Sequence, residues 1–262
     1  MKKPYIGVTG IFNNKDLVFA LVAAFTESGY EFPENYQLMI GVLASFKTIS
    51  GLPSKNFPNR YPAVEDIPDL FPTSTKDYLL NLIHYNSSEP DLSSQFNKLV
   101  EISGPNLGGF QLNICWPDPK ELHKFREEGH QHAIVLQIGR EAFGVINKNP
   151  TILADKISAE YSGLIDYVLL DPSGGEGKEM NIDKTDEYLS ELYGRGLNDK
   201  IRFGIAGGLH SGNLESIRPL VEKYDSLSID AEGKLRHPHD DTMNHKELAR
   251  FISAAKRLMT SP

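Results

Sequence analysis

Short apolar runs alternate with amphipathic stretches from one end of this chain to the other. Tyr5 to Thr9, Gln37 to Ala44, Leu79 to Tyr85, Gly109 to Ile114, Ala133 to Ile138, Asp166 to Leu170, Arg202 to Ala206 and Leu227 to Asp230 each read as a strand. Most of them are nearly all apolar, as expected of strands covered on both faces. Between them, apolar residues recur at helical spacing over 16–28, 91–102, 119–128, 150–161, 184–193, 213–224 and 245–258. Asn13, Asn14 and Asp16 offer caps for the first helix, and Asp118 before Pro119 reads as an N-cap with proline at the first helical position. Asn244 caps the last helix, with Glu247 three residues on in the position of a capping box.

Strand–helix alternation demands parallel pairing, and eight such units close into a single (β/α)8 TIM barrel, an α/β fold spanning 1–262. An open doubly wound sheet is the competitor. It would put a Gly-rich turn after the first strand, and Gly10-Ile11-Phe12 lacks that fingerprint. One stretch breaks the alternation. Residues 48–76, after strand two, hold Pro53, Pro58, Pro62, Pro68 and Pro72, which forbid long regular elements. A loop of that length in a compact domain is usually functional or mobile, and it could cover a site.

Composition narrows the function classes. A formal charge of −8 argues against nucleic-acid and anionic-membrane partners, which select clustered Lys and Arg. The single cysteine, Cys115, excludes an internal disulfide framework and a multi-cysteine metal site, and its default role is a buried packing residue. No apolar stretch approaches the roughly 18 residues of a membrane span, and the N-terminus has no signal-peptide pattern, so a cytoplasmic protein is expected.

In a TIM barrel, chemistry lies where strands end. Here those positions are Thr9, Lys47, Asn113, Gln137, Asp171, Gly207, Gly208 and Asp230. Asp171 is delivered by the apolar run Val168-Leu169-Leu170 into the loop Gly174-Gly175-Glu176-Gly177-Lys178. Glycines let backbone amides approach an anion, and lysine adds a point charge. A second glycine pair, Gly207-Gly208, follows strand seven, where barrels often hold phosphate. Asp171 could act as a general acid if the barrel mouth raises its pKa, or simply cap a loop amide or pair with Lys178.

Together these residues resemble the phosphoribosylanthranilate isomerase family of tryptophan biosynthesis. The resemblance covers most of the chain and is most specific from strand six onward. Asp171 with the Gly-Gly-x-Gly-Lys loop resembles the family's strand-six acid and substrate loop. Ala206-Gly207-Gly208-Leu209 with Asn213 is similar to its phosphate turn. Phe110-Gln111-Leu112-Asn113 resembles its strand four, and Asn59-Arg60-Tyr61 its substrate-contacting segment. The resemblance implies an Amadori-type isomerase acting on a small phosphorylated sugar derivative, without cofactor or metal. It implies Asp171 as acid, Arg60, Asn113, Gln137, Gly175, Gly177 and Lys178 around the substrate, and Gly207, Gly208 and Gly233 around the phosphate.

The chain departs from the family at the chemical centre. Thr9 stands where the family has a cysteine base, and an aliphatic hydroxyl ionises only beside a strong base. Glu232, after strand eight, is a candidate for that base, because strand eight neighbours strand one in a closed barrel. An inward Glu232 would also repel a phosphate. Asn113-Ile114 replaces the family's His-Gly after Gln-Leu. Altered or reduced chemistry is therefore expected. A non-catalytic barrel binding a metabolite or partner, and a lyase keeping only the anion cradle, remain open; for the lyase, Lys47 is the candidate. His237, His239, Asp240, Asp241 and His245 read as an exposed loop before a capped helix rather than as a zinc site. Trp116-Pro117 could stack on a ring or pack over the rim. A homodimer is compatible with the sequence.

Overall fold

The computed structural model describes residues 2–26, 31–52, 57–73, 78–172 and 180–260. Eight parallel strands close into a barrel in chain order: β1 (Tyr5–Thr9), β2 (Gln37–Ser45), β3 (Leu79–Asn86), β4 (Gly109–Leu112), β5 (Ala133–Ile138), β6 (Tyr167–Leu170), β7 (Arg202–Ala206) and β8 (Ser228–Ala231). Closure is made by β8 against β1, with Ile6 opposite Ile229 and Val8 opposite Ala231. The chain is therefore a TIM barrel, as the alternation predicts.

Period-two alternation splits each strand between two environments. Outward side chains such as Ile6, Val8, Phe110, Leu136 and Ile205 join the helices in one large core. Phe96 of the helix Leu92–Ser103 stacks on Phe110 with ring centroids 4.6 Å apart, and Phe125 of the helix Pro119–Glu127 meets both edge-on. Inward side chains form a separate plug of Tyr5, Met39, Leu80, Leu82, Val135, Tyr167 and Leu169. The plug fills the barrel interior, so the chemistry is confined to the mouth above it.

Helix starts follow the expected cap chemistry. The side-chain oxygens of Asn13, Asp118, Asn149, Asn181 and Asn244 each accept a backbone N–H of the turn they precede, at 2.9–3.2 Å. The capping box does not close at the last helix, His245–Thr260. Glu247 Oε1 instead accepts Ser211 N at 2.8 Å, pinning the loop after β7 to that helix. The helix expected over 150–161 turns π-helical at Ile157–Tyr161, and a short helix at Arg140–Val145 follows β5 where none was expected. A single turn, Phe46–Ile49, leads into the proline-rich stretch, whose described residues include a 3-10 segment Val64–Leu70.

Candidate active site at the barrel mouth

Six inward-facing polar side chains crown the apolar plug: Thr9, His84, Gln111, Gln137, Asp171 and Asp230, all at most 8% exposed. All but His84 form a chain of hydrogen bonds across the mouth. Thr9 Oγ1 lies 3.0 and 3.1 Å from the two carboxylate oxygens of Asp230. Gln111 Nε2 donates to Asp230 Oδ2 at 2.9 Å and to Gln137 Oε1 at 3.2 Å. Gln137 Nε2 donates to Asp171 Oδ2 at 2.9 Å. Two buried carboxylates, one on β8 and one just past β6, are thus held by a pair of amides across one opening.

The backbone makes room for this arrangement. A Cβ on Gly41 would stand 2.6 Å from Thr9 Oγ1, and one on Gly7 would stand 2.8 Å from Asp230 Oδ1. Real Cβ atoms do not approach so closely; glycine at 41 leaves room for Thr9, and glycine at 7 leaves room for both Asp230 and the Met39 methyl, which would lie 2.7 Å from the same Cβ.

The electrostatics single out Asp230. Burial pushes its carboxyl up to about 7, against the pull of hydrogen bonds from Gln111 and Thr9 and with help from the nearby charges of Glu232 and Asp171. Desolvation disfavours the charged form, and Asp230 is 4% exposed. His84, opposite Gln111 in the β3–β4 register, is pushed down by burial and is neutral at physiological pH. His84 Nδ1 and Gln111 Oε1 are buried with no hydrogen-bond partner among the described residues.

A cavity of about 40 Å³ gathers these groups. His84, Gln111, Gln137, Asp171 and Asp230 line it together with Gly207, Gly208, Glu232, Gly233 and Lys234. Asp171 and the Gly207-Gly208 turn therefore share one opening, as the barrel reading requires. Both glycines have positive φ, 117° and 66°, and Asn213 braces the turn by donating to Gly208 O at 3.0 Å while accepting His210 N at 2.9 Å.

Several expected roles change. The carboxylate that reaches Thr9 is Asp230, not Glu232, because Asp230 alternates inward beside β1. Glu232 accepts Arg60 Nη1 at 2.8 Å. Arg60 also binds Asp241 in a two-pronged pair at 2.6 and 2.7 Å, so three of its five N–H groups go to carboxylates of its own chain. The pairing offsets the repulsion an inward Glu232 would exert on an anion. Arg236, also buried, donates to Gly10 O at 2.6 Å, Asp241 O at 2.7 Å and Asn59 O at 3.1 Å, lashing residues 59–60 to the mouth.

Gln137 is buried where the site meets a second, larger groove of about 780 Å³ over the loops after β3, β4 and β5, and Asn113 is exposed in that groove. Cys115 is exposed in that groove, not buried as expected, since β4 ends at Leu112 and the next residues turn over the rim. Trp116 packs there by donating Nε1 to Ala142 O at 3.0 Å. Lys47 is exposed in the turn after β2. His245 binds Asp16 at 2.6 Å and stacks on Phe19, and no metal-binding group of His, Cys, Asp and Glu occurs among the described residues. Gly175, Gly177 and Lys178 lie outside the described residues.

His84 and Gln111 were missed as site residues, and Asp230 was noticed only as a strand end. The available signal was parity. In Leu80-Asn81-Leu82-Ile83-His84, the histidine shares its face with two inward leucines. In Ser228-Ile229-Asp230, a carboxylate interrupts an apolar strand at an inward position.

No family model matches the chain, and no curated protein matches it by sequence. Among solved structures, the chain is similar to tryptophan synthase subunit alpha from Legionella pneumophila str. Paris, with a TM-score of 0.56 and 11% identity over 98% of this chain and 93% of that one. At that identity the likeness shows a shared TIM-barrel fold.

Proposed function

We propose that this barrel is an acid–base isomerase of the aldose–ketose or Amadori type, acting on a small phosphorylated sugar-like molecule. The observation that carries the reading is the pair Asp171 and Asp230. Two buried carboxylates face one cavity, and Asp230 changes charge near neutral pH. Isomerisation of this kind removes a proton from a carbon beside a carbonyl or imine and delivers one elsewhere on the same molecule. A carboxylate whose pKa lies near the working pH is suited to the first step. Asp230 takes the role of base that the sequence resemblance left vacant at Thr9, and the Thr9 hydroxyl orients it. Asp171 delivers the proton. Backbone amides at Gly207, Gly208 and Gly233, with Lys234, hold the phosphate, as the loops after β7 and β8 commonly do in this fold. Arg60 acts by holding Glu232 rather than by clamping substrate.

The test is turnover of a phosphorylated aminoaldose by the parent protein and by Asp171→Asn and Asp230→Asn separately. Each substitution is expected to lower kcat by about 10²–10⁴-fold, the usual worth of a positioned acid or base. The parent rate should rise with pH through about 7 as Asp230 ionises. Equal rates in all three proteins would refute the assignment. Absence of turnover in the parent would favour the non-catalytic barrel.

A further inference from the structure

We infer that His84 is a third reacting group of this site, a neutral imidazole that donates a hydrogen bond to the substrate oxygen on which negative charge develops. The inference deepens the isomerase reading and rests on it. His84 is 8% exposed and lines the same cavity as Asp171 and Asp230. Buried polar groups in folded proteins are nearly always paired, yet His84 Nδ1 lies out of reach of solvent with no partner among the described residues, so no protein group holds the ring's tautomer and the ring edge that lines the cavity can carry the proton toward another molecule. Gln111 repeats the signal from the adjacent strand. Both of its amide hydrogens are spent, on Asp230 and on Gln137, which fixes its orientation and leaves Oε1 as a buried acceptor without a donor among the described residues.

The charge setting defines what His84 can do. The Asp171 and Glu232 carboxylates favour a proton on the ring, Arg60 opposes it, and burial keeps the ring uncharged overall. A neutral imidazole is a poor proton donor but a good hydrogen-bond donor to an oxygen becoming enolate-like, and it keeps its proton throughout. When Asp230 removes the proton beside a substrate carbonyl, the C–H pair becomes a C=C bond and the carbonyl π pair moves onto its oxygen, the atom that His84 contacts. The sequence lacks a histidine after Gln111-Leu112 on β4, and the structure brings an imidazole to that neighbourhood from β3.

The experiment uses 15N-labelled full-length protein, with D-ribose 5-phosphate and inorganic phosphate as probes. The His84 imidazole signals, assigned with His84→Gln, should show a ring that protonates less readily than a free histidine and is neutral at about pH 7.5. Ribose 5-phosphate should shift the ring nitrogens, and inorganic phosphate should leave them in place. His84→Gln should weaken ribose 5-phosphate about tenfold, the worth of one hydrogen bond in a dry site, with phosphate affinity and Tm unchanged. A ring protonated at that pH, unmoved signals, or undiminished affinity in the variant would overturn the inference. Should the variant fail to fold, the signals of the parent protein decide alone. If phosphate moves the Gly207 and Gly208 amides while ribose 5-phosphate never reaches His84, the inference falls and the phosphate site survives. If His84 responds but Asp171→Asn and Asp230→Asn leave turnover intact, the acid–base reading falls and the His84 contact survives. Absence of ribose 5-phosphate binding would overturn the inference, while turnover of the aminoaldose would still decide the acid–base reading.

Discussion

The floor and the mouth of the barrel interior are made by the same strands under the same alternation, yet they obey opposite rules. At the floor, Tyr5, Met39, Leu80, Val135, Tyr167 and Leu169 interdigitate, and the Tyr5 and Tyr167 rings meet at 5.3 Å. Two to four residues further along the same strands stand Thr9, His84, Gln137 and Asp171. The floor gains free energy by excluding water. The mouth buries two carboxylates, an imidazole and two amides, and leaves atoms of His84 and Gln111 unpaired among the described residues, where the floor leaves the Tyr5 hydroxyl so. Such burial opposes folding, because each desolvated group loses water that its neighbours only partly replace. The plug offsets the mouth, and the mouth is where a ligand would complete the pairing.

Substitutions can test that division. The largest effect is expected at the floor. Leu169→Ala, at a fully buried position, should cost about 2–5 kcal/mol in urea unfolding while leaving phosphate binding unchanged. A smaller and pH-dependent effect of opposite sign is expected at Asp230. Its folded pKa, about 7, lies above the unfolded value of 3.8. A raised carboxyl contributes stability that is fully present below the unfolded pKa and is lost as pH rises through the folded one. The parent protein should therefore lose stability between about pH 4 and pH 8, by at most about 4 kcal/mol, through this group. Asp230→Asn should remove that slope and be the more stable protein at the upper end. Parallel stability curves for the two would show that the mouth carries no such cost. The smallest change is Thr9→Val. Losing the hydroxyl donor should push the Asp230 pKa further up, about 1 unit or less, measured by carboxyl NMR titration, with stability altered by about 1 kcal/mol.

All eight strands were legible from apolar runs, with ends displaced by at most two residues, because strands covered on both faces announce themselves. The cap residues were legible for a similar local reason. The helix Arg140–Val145 was not, since its six residues carry too little periodicity to register. At the site, Asp171, Gln137 and the Gly207-Gly208 turn could be named from their places at strand ends. The pairing of Thr9 with Asp230 could not, because it joins residues 221 positions apart whose proximity exists only once β8 closes on β1. Arg60 looked like a substrate clamp for the same reason. Its partners, Glu232 and Asp241, lie more than 170 residues away and meet it only across the closed mouth.

The order of residues along this chain was enough to dictate a ring of eight strand–helix units and which ends of the strands carry polar groups, because periodicity and capping act over a few neighbours. Tertiary structure alone decided which carboxylate meets Thr9, which nitrogen is left without a partner and which carboxyl titrates near neutrality. Those properties depend on distance and dryness at a place where six separate strands converge.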